Sequence, residues 1–198
     1  MARSSMAIVA FASAICAVLG IASVWVVPWI LSERQEAKTF EAVQQGGYVI
    51  YLRHADRTRG AKEPFNANSP VEAFMDCTNQ RNLTAKGREN AAQIGVTFRS
   101  MRVPVGQVLA LPLCRTRETA QLAFGEVELD PRLYDPNYVE HLLGEPPSRG
   151  NLILVDSNYQ VRQIAHVDLQ PGEAAVFQPL SGGGFKLVGK LDQNDLDH

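Results

Sequence analysis

The 198-residue chain is short of cysteine, of histidine and of net charge, and each shortage removes a class of function. Its three cysteines and four histidines are scattered, without the paired spacing that closes a tetrahedral zinc site, so neither a metal nor a cofactor is expected. A formal charge of -2 and a pI near 6.1 provide no concentrated basic face for nucleic acid, and anion binding has to be local. The glycine run Ser181-Gly-Gly-Gly184 has no Gly-Lys-Ser/Thr after it and no helix start, which leaves a turn in place of a nucleotide loop. Asp192 to Asp197 lacks the loop glycine and terminal glutamate of a calcium-binding hand and reads as a solvated terminus.

Charge is absent altogether from Ala7 to Leu31, and this run is longer than the roughly 20 residues that carry a helix across a bilayer core. A cleaved signal would have an apolar region of only about 7–15 residues before a small-residue cleavage site. The large Ile15 before Cys16 argues against a lipoprotein site, and Trp25 and Trp29 suit the far interface. Arg3 precedes the run, whereas Glu33, Arg34, Glu36 and Lys38 follow it in near balance, a mild bias toward export of what comes next. The expected organisation is therefore a signal-anchor over residues 1–32 and one folded domain over 33–198, held at the membrane on its periplasmic or extracytoplasmic side. In such a compartment Cys77 and Cys114 have two fates, a disulfide or two buried thiols, and sequence does not fix their separation.

Within the domain, helix and strand signals alternate. Residues 33–45 read as a helix stopped by Gly46-Gly47, and Tyr48 to Arg53 as a strand. Ala55 to Asn82, rich in Pro, Asn, Asp and Arg, reads as a long loop. Thr84 caps a helix to about Met101 whose Ala91, Ala92, Ile94, Gly95 and Phe98 form a core stripe. Val108–Leu111 and Asn151–Val155 read as buried strands, Arg115–Phe124 as a helix, and Ala174–Gln178 with Phe185–Leu191 as a final hairpin. That order predicts an α/β fold with a mostly parallel central sheet flanked by helices. Ligand chemistry then belongs at the carboxyl ends of the strands, where His54, Cys114-Arg115 and Asp156-Ser157 fall.

Leu52-Arg53-His54-Ala55 sets an imidazole at a strand end beside a guanidinium that can fork two phosphate oxygens. Alone, the pair could equally be a surface salt-bridge partner. Leu113-Cys114-Arg115-Thr116-Arg117-Glu118-Thr119-Ala120 adds a second arginine at a helix start, where backbone N–H groups also favour anions. With Asn82-Leu83-Thr84-Ala85-Lys86-Gly87-Arg88 between them, these segments resemble, in order, the motifs of the histidine phosphatase superfamily. Cys77 and Gln80 to Leu83 are similar to its small single-domain bacterial members, including those acting on lipopolysaccharide heptose phosphate.

The resemblance implies that His54 attacks phosphorus and becomes a phosphohistidine while Arg53 and Arg115 bind the phosphate oxygens. It implies a leaving-group acid at Asp135, with Asp130, Asp56 and Glu140 as rivals. It also exposes a departure: the strand at Leu152–Val155 should lead to a second pocket histidine, and Ser157 stands there, a hydroxyl without charge. His166 is too far along the following helix to replace it, and His141 is the less constrained alternative. Two functions follow, a phosphatase for phosphorylated small molecules or cell-envelope glycans and lipids, or a pseudophosphatase that binds such ligands without turnover.

Overall fold

The computed structural model describes residue 35, residues 37–60 and residues 69–192. The expected membrane segment, residues 7–31, and the acidic tail beyond Asp192 lie outside the described residues. None of the described helices is long and apolar enough to cross a membrane.

Helical residues 37–45, α1, end at Gly46 and Gly47, whose φ of 77° and 88° lie where a side chain would be strained. β1 (Val49–Arg53) follows and, after a long connection, the short α2 (Val71–Met75). α3 (Ala85–Ser100) starts at Thr84, whose Oγ1 accepts from Gly87 N at 2.9 Å. The chain continues through β2 (Val105–Ala110), α4 (Cys114–Phe124), β3 (Glu128–Leu129), a 3-10 turn (Pro131–Tyr134) and α5 (Pro136–Gly144). β4 (Asn151–Asp156), α6 (Asn158–Ala165), β5 (Ala174–Pro179) and β6 (Phe185–Leu191) complete it.

The six strands form one sheet in the order β3-β2-β4-β1-β5-β6. β3, β2, β4 and β1 are mutually parallel, and β5 and β6 add an antiparallel edge, so the sheet is mixed. β4 is buried along its whole length because both its faces are covered. On one face Ile50, Leu52, Ile153 and Val155 pack with Ile94 and Phe98 of α3, Ala120 and Ala123 of α4, and Phe40 and Val43 of α1. On the other, Tyr51, Leu152 and Leu154 pack with Val139 and Leu143 of α5 and Val161 of α6. The register at these ends, Arg53 opposite Asp156 and Ala110 opposite Val155, brings the carboxyl ends of β1, β4 and β2 level.

The structure corrects the expected elements in two places. The loop expected over 55–82 contains α2, a five-residue helix too short for periodicity to show. β3, the 3-10 turn and α5 fill a stretch in which sequence marks only candidate acids; Pro131 and Pro136 each start a helical turn there, with Asp130 and Asp135 as N-caps.

Candidate active site

His54 is the first residue past β1, and its N–H donates to Asp156 O at 2.9 Å, so the β1–β4 pairing continues through it. The residue is only 2% exposed, and its Nδ1 lies 2.8 Å from Ala55 O. A carbonyl can only accept, so Nδ1 carries the hydrogen and Nε2 keeps its lone pair. Burial, with the Arg115, Arg53 and Arg57 cations, opposed by the bond to Ala55 O, depresses the imidazole pKa from 6.5 to about 3. The ring is therefore neutral and nucleophilic at physiological pH. Arg53 is fixed by donating from its guanidinium to Leu169 O. Burial lowers its pKa, against Asp168 and Glu173, which raise it.

Arg115 occupies the first turn of α4 and is buried. The start of this helix is tied down on several sides. Cys114 N donates to Gln80 Oε1 at 2.9 Å, while Gln80 Nε2 donates to Phe74 O at 2.6 Å. Cys77 and Cys114 form a disulfide with Cα atoms 5.7 Å apart, which resolves the two fates left open by sequence. Thr116 Oγ1 donates to Leu113 O at 2.7 Å, and Thr119 Oγ1 donates to Arg115 O at 2.7 Å while accepting from Ala55 N at 3.1 Å. One threonine thus locks the arginine's turn to the backbone beside His54. Gly87 serves the opposite side: a Cβ there would lie 2.0 Å from Asp56 O, and Thr84 N donates to that same carbonyl. The spacing Thr84-Ala85-Lys86-Gly87 is what lets α3 abut the loop after His54.

The third contribution comes from the end of β4. Asp156 is fully buried; its Oδ1 accepts from Ser157 N at 2.6 Å, and Tyr51 Oη lies 3.0 Å from Oδ2. Burial raises this carboxyl to about 7, against the Ser157 N–H, the Tyr51 hydroxyl and Arg115, which lower it. Ser157 caps α6, its Oγ accepting from Tyr159 N at 3.4 Å.

A neutral imidazole thus stands with a buried and a half-buried arginine at the parallel strand ends, a grouping of cations suited to an anion. In comparisons of structure the chain aligns with the protein histidine phosphatase SixA complexed with tungstate, at a TM-score of 0.57 and 15% identity over 76% of this chain and 99% of that one. It also aligns with SixA of Agrobacterium tumefaciens, at 0.50 and 18% identity over 74% and 98%, and with the Rv3214 product of Mycobacterium tuberculosis, at 0.51 and 15% over 71% and 95%. The chain has the histidine phosphatase fold. No family model matches the sequence, and no curated protein matches it. The solved structures that resemble it are members of the histidine phosphatase superfamily.

Within that fold the expected residues separate into two groups. Arg53, His54, Arg115 and Ser157 gather at the ends of β1 and β4 and the start of α4. Asp135 is exposed and caps α5, accepting from Asn137 N at 2.9 Å and Asn137 Nδ2 at 3.1 Å. Its segment follows β3 along the same edge of the sheet: Gln160 Nε2 of α6 donates to Tyr134 O at 2.6 Å, and Tyr134 meets Phe74 at a ring separation of 6.1 Å. Asp130 is occupied structurally. Burial would raise it, but the hydrogen bonds from Arg132 and Tyr138 hold it below its ordinary value, unsuited to donating a proton. Asp56 accepts from Thr84 Oγ1 at 2.9 Å.

Among the described residues, neither His141 nor His166 replaces Ser157. His166 is exposed at the C-cap of α6 with φ 54°, and His141 is paired with Glu145 at 3.6 Å in a cleft that also takes in Val105 and Gly106 at the opposite end of β2. Among the described residues no cluster of His, Cys, Asp and Glu could hold a metal ion. Asp156, Tyr51, Gln80 and Thr119 carry the site's internal bonding, a role that sequence alone does not assign to them. For Asp156 a signal exists: a carboxylate type at the end of an otherwise unbroken apolar strand.

Proposed function

We propose that this chain is a phosphomonoester hydrolase that works through a phosphohistidine at His54. The hydrogen bond from Nδ1 to Ala55 O carries the reading, because it turns the unprotonated Nε2 into the attacking atom. Nε2 attacks phosphorus in line; the ester P–O bond breaks and its electrons leave on the alcohol oxygen, which takes a proton from Asp135. Water then attacks phosphorus and gives a proton back to Asp135, the P–N bond breaks with its electrons returning to Nε2, and inorganic phosphate is released. Arg53 and Arg115 bind the oxygens on which charge gathers. Residues 7–31 anchor the domain of residues 33–198 outside the cytoplasm, which suits the Cys77–Cys114 bridge. Substrates are phosphorylated small molecules or envelope glycans and lipids.

Ser157 favours a second reading, a pseudophosphatase that holds such a ligand without turnover, since one preorganised cationic donor is missing. A donor of that kind is worth about 10²–10³ in rate. Rapid-quench labelling with a radioactive phosphomonoester separates the readings: the hydrolase forms an acid-labile phosphoenzyme that His54→Ala abolishes and Ser157→His accelerates. Asp135→Asn then slows alkyl phosphates more than aryl ones. Absence of a phosphoenzyme, with phosphate binding intact, establishes the binding module.

A further inference from the structure

The buried end of β4 contains more short oxygen contacts than hydrogens to fill them. Tyr51 Oη lies 2.8 Å from Ser157 O and 3.0 Å from Asp156 Oδ2. A hydroxyl has one hydrogen, and a carbonyl has none to offer. If Tyr51 donates to Ser157 O, the contact with Asp156 is satisfied only when Oδ2 bears a proton of its own.

We infer that Asp156 is a positioning residue held as a neutral carboxylic acid, its Oδ2–H donating to Tyr51 Oη while Tyr51 donates to Ser157 O, so that it sets no negative charge against a dianion at Arg115. The inference rests on the reading of this site as a phosphate pocket. Tyr51 from β1 and Arg115 from α4 act on the carboxyl, Arg53 stands opposite Asp156 in the β1–β4 ladder, and the end of β2 offers only Ala110 and Leu111. On α6 Arg162 and Tyr159 are exposed, and Asp168 and Glu173 act on Arg53. His54 stays neutral in the range concerned. Burial raises the carboxyl to about 7 even against a Tyr51 hydroxyl that donates to it, and a hydroxyl turned to Ser157 O no longer opposes the acid form. Ionisation places a negative charge within the field of Arg115, where a phosphate dianion has to bind; by linkage, a bound dianion draws a proton onto Asp156.

The test uses the full chain in a non-ionic detergent and sulfate, a dianion that does not itself titrate near neutrality. Infrared difference spectra of the ligand-free protein should show a protonated-carboxyl band lost as pH rises through neutrality and missing in Asp156→Asn. Calorimetric sulfate affinity should fall about tenfold between pH 6 and pH 8.5, with proton uptake on binding at the alkaline end, and should lose this dependence in Asp156→Asn. Tyr51→Phe, which removes the acceptor of the acid proton, should move the infrared midpoint to lower pH. A band that is absent, or a midpoint that rises in Tyr51→Phe, means that Tyr51 donates to a carboxylate and overturns the inference. An equal pH slope in wild type and Asp156→Asn overturns the link to the anion site. Sulfate binding at no pH defeats the phosphate-pocket reading and that link together, while the band still decides the proton. Should Asp156→Asn fail to fold, proton uptake by the wild type decides the link and the Tyr51→Phe midpoint decides the proton.

Discussion

His54 and Asp156 are neighbours across two strands, and burial moves their pKa values in opposite senses, down from 6.5 to about 3 and up from 3.8 to about 7. Their effects on stability therefore oppose each other. The unfolded chain holds an extra proton on His54 between about pH 3 and 6.5, so its contribution falls as pH drops through that window. The folded chain holds an extra proton on Asp156 between about pH 4 and 7, so its contribution falls as pH rises. Each is worth on the order of 4 kcal/mol at its limit, and from pH 4 to 6.5 the slopes cancel. His54→Gln should leave a protein that loses stability toward pH 7, and Asp156→Asn one that loses it toward pH 4, in urea unfolding followed across that range. Parallel pH profiles for both variants and wild type would show that these groups are not neutral in the folded state. Arg53, His54 and Arg115 are legible in the sequence because their residue types suit an anion and sit at element ends. The place of Asp156 at a strand end is legible too, but its protonation is not, because that comes from Tyr51 and from complete burial, which a linear reading does not supply.

At the scale of elements, α4 is where structure and chemistry are most closely joined. The disulfide ends on Cys114, the Gln80 amide accepts from Cys114 N, and the next residue is the pocket arginine. Closing a loop of 37 residues stabilises the fold by about 4 kcal/mol in the chain-entropy account. Reduction, or Cys77→Ser with Cys114→Ser, should lower the unfolding free energy by up to that amount and raise KM more than it lowers kcat, because it loosens Arg115 while leaving His54 seated by Ala55. An unchanged KM in the reduced protein would show that Gln80 and Thr119 alone position the arginine. Both α3 and α4 are legible in the sequence, α3 from its apolar spacing, and Gly95 belongs to that stripe; a Cβ there would lie 2.0 Å from Ala123 O, so the glycine marks where the two helices touch. α2, β3 and the 3-10 turn are hidden because elements of two to five residues complete no period.

For the whole molecule, alternation of strand and helix signals is enough to anticipate an α/β sheet with its ligand edge at three strand ends. The antiparallel pair β5 and β6 is also anticipated, as a hairpin, but not its place beside β1, since strand order depends on which faces cover which. That placement leaves β6 as the last strand of the sheet. An outermost strand is a template for another chain's backbone, and this one has features that discourage such pairing. The ladder is broken by a register shift between Val176 and Phe177, Gly189 sits mid-strand, and Lys186 and Lys190 are exposed, with Lys190 partly engaged by Glu173 at 3.0 Å. Exposed Leu187 between the two lysines is the one position that would reward strand addition. Lys186→Val with Lys190→Val should therefore make light scattering rise more steeply with concentration than in the unaltered chain, at undiminished phosphate affinity. Colloidal behaviour in this protein would then be governed by two charges on the far margin of the sheet, and the proposed phosphate chemistry by the strand ends at the centre.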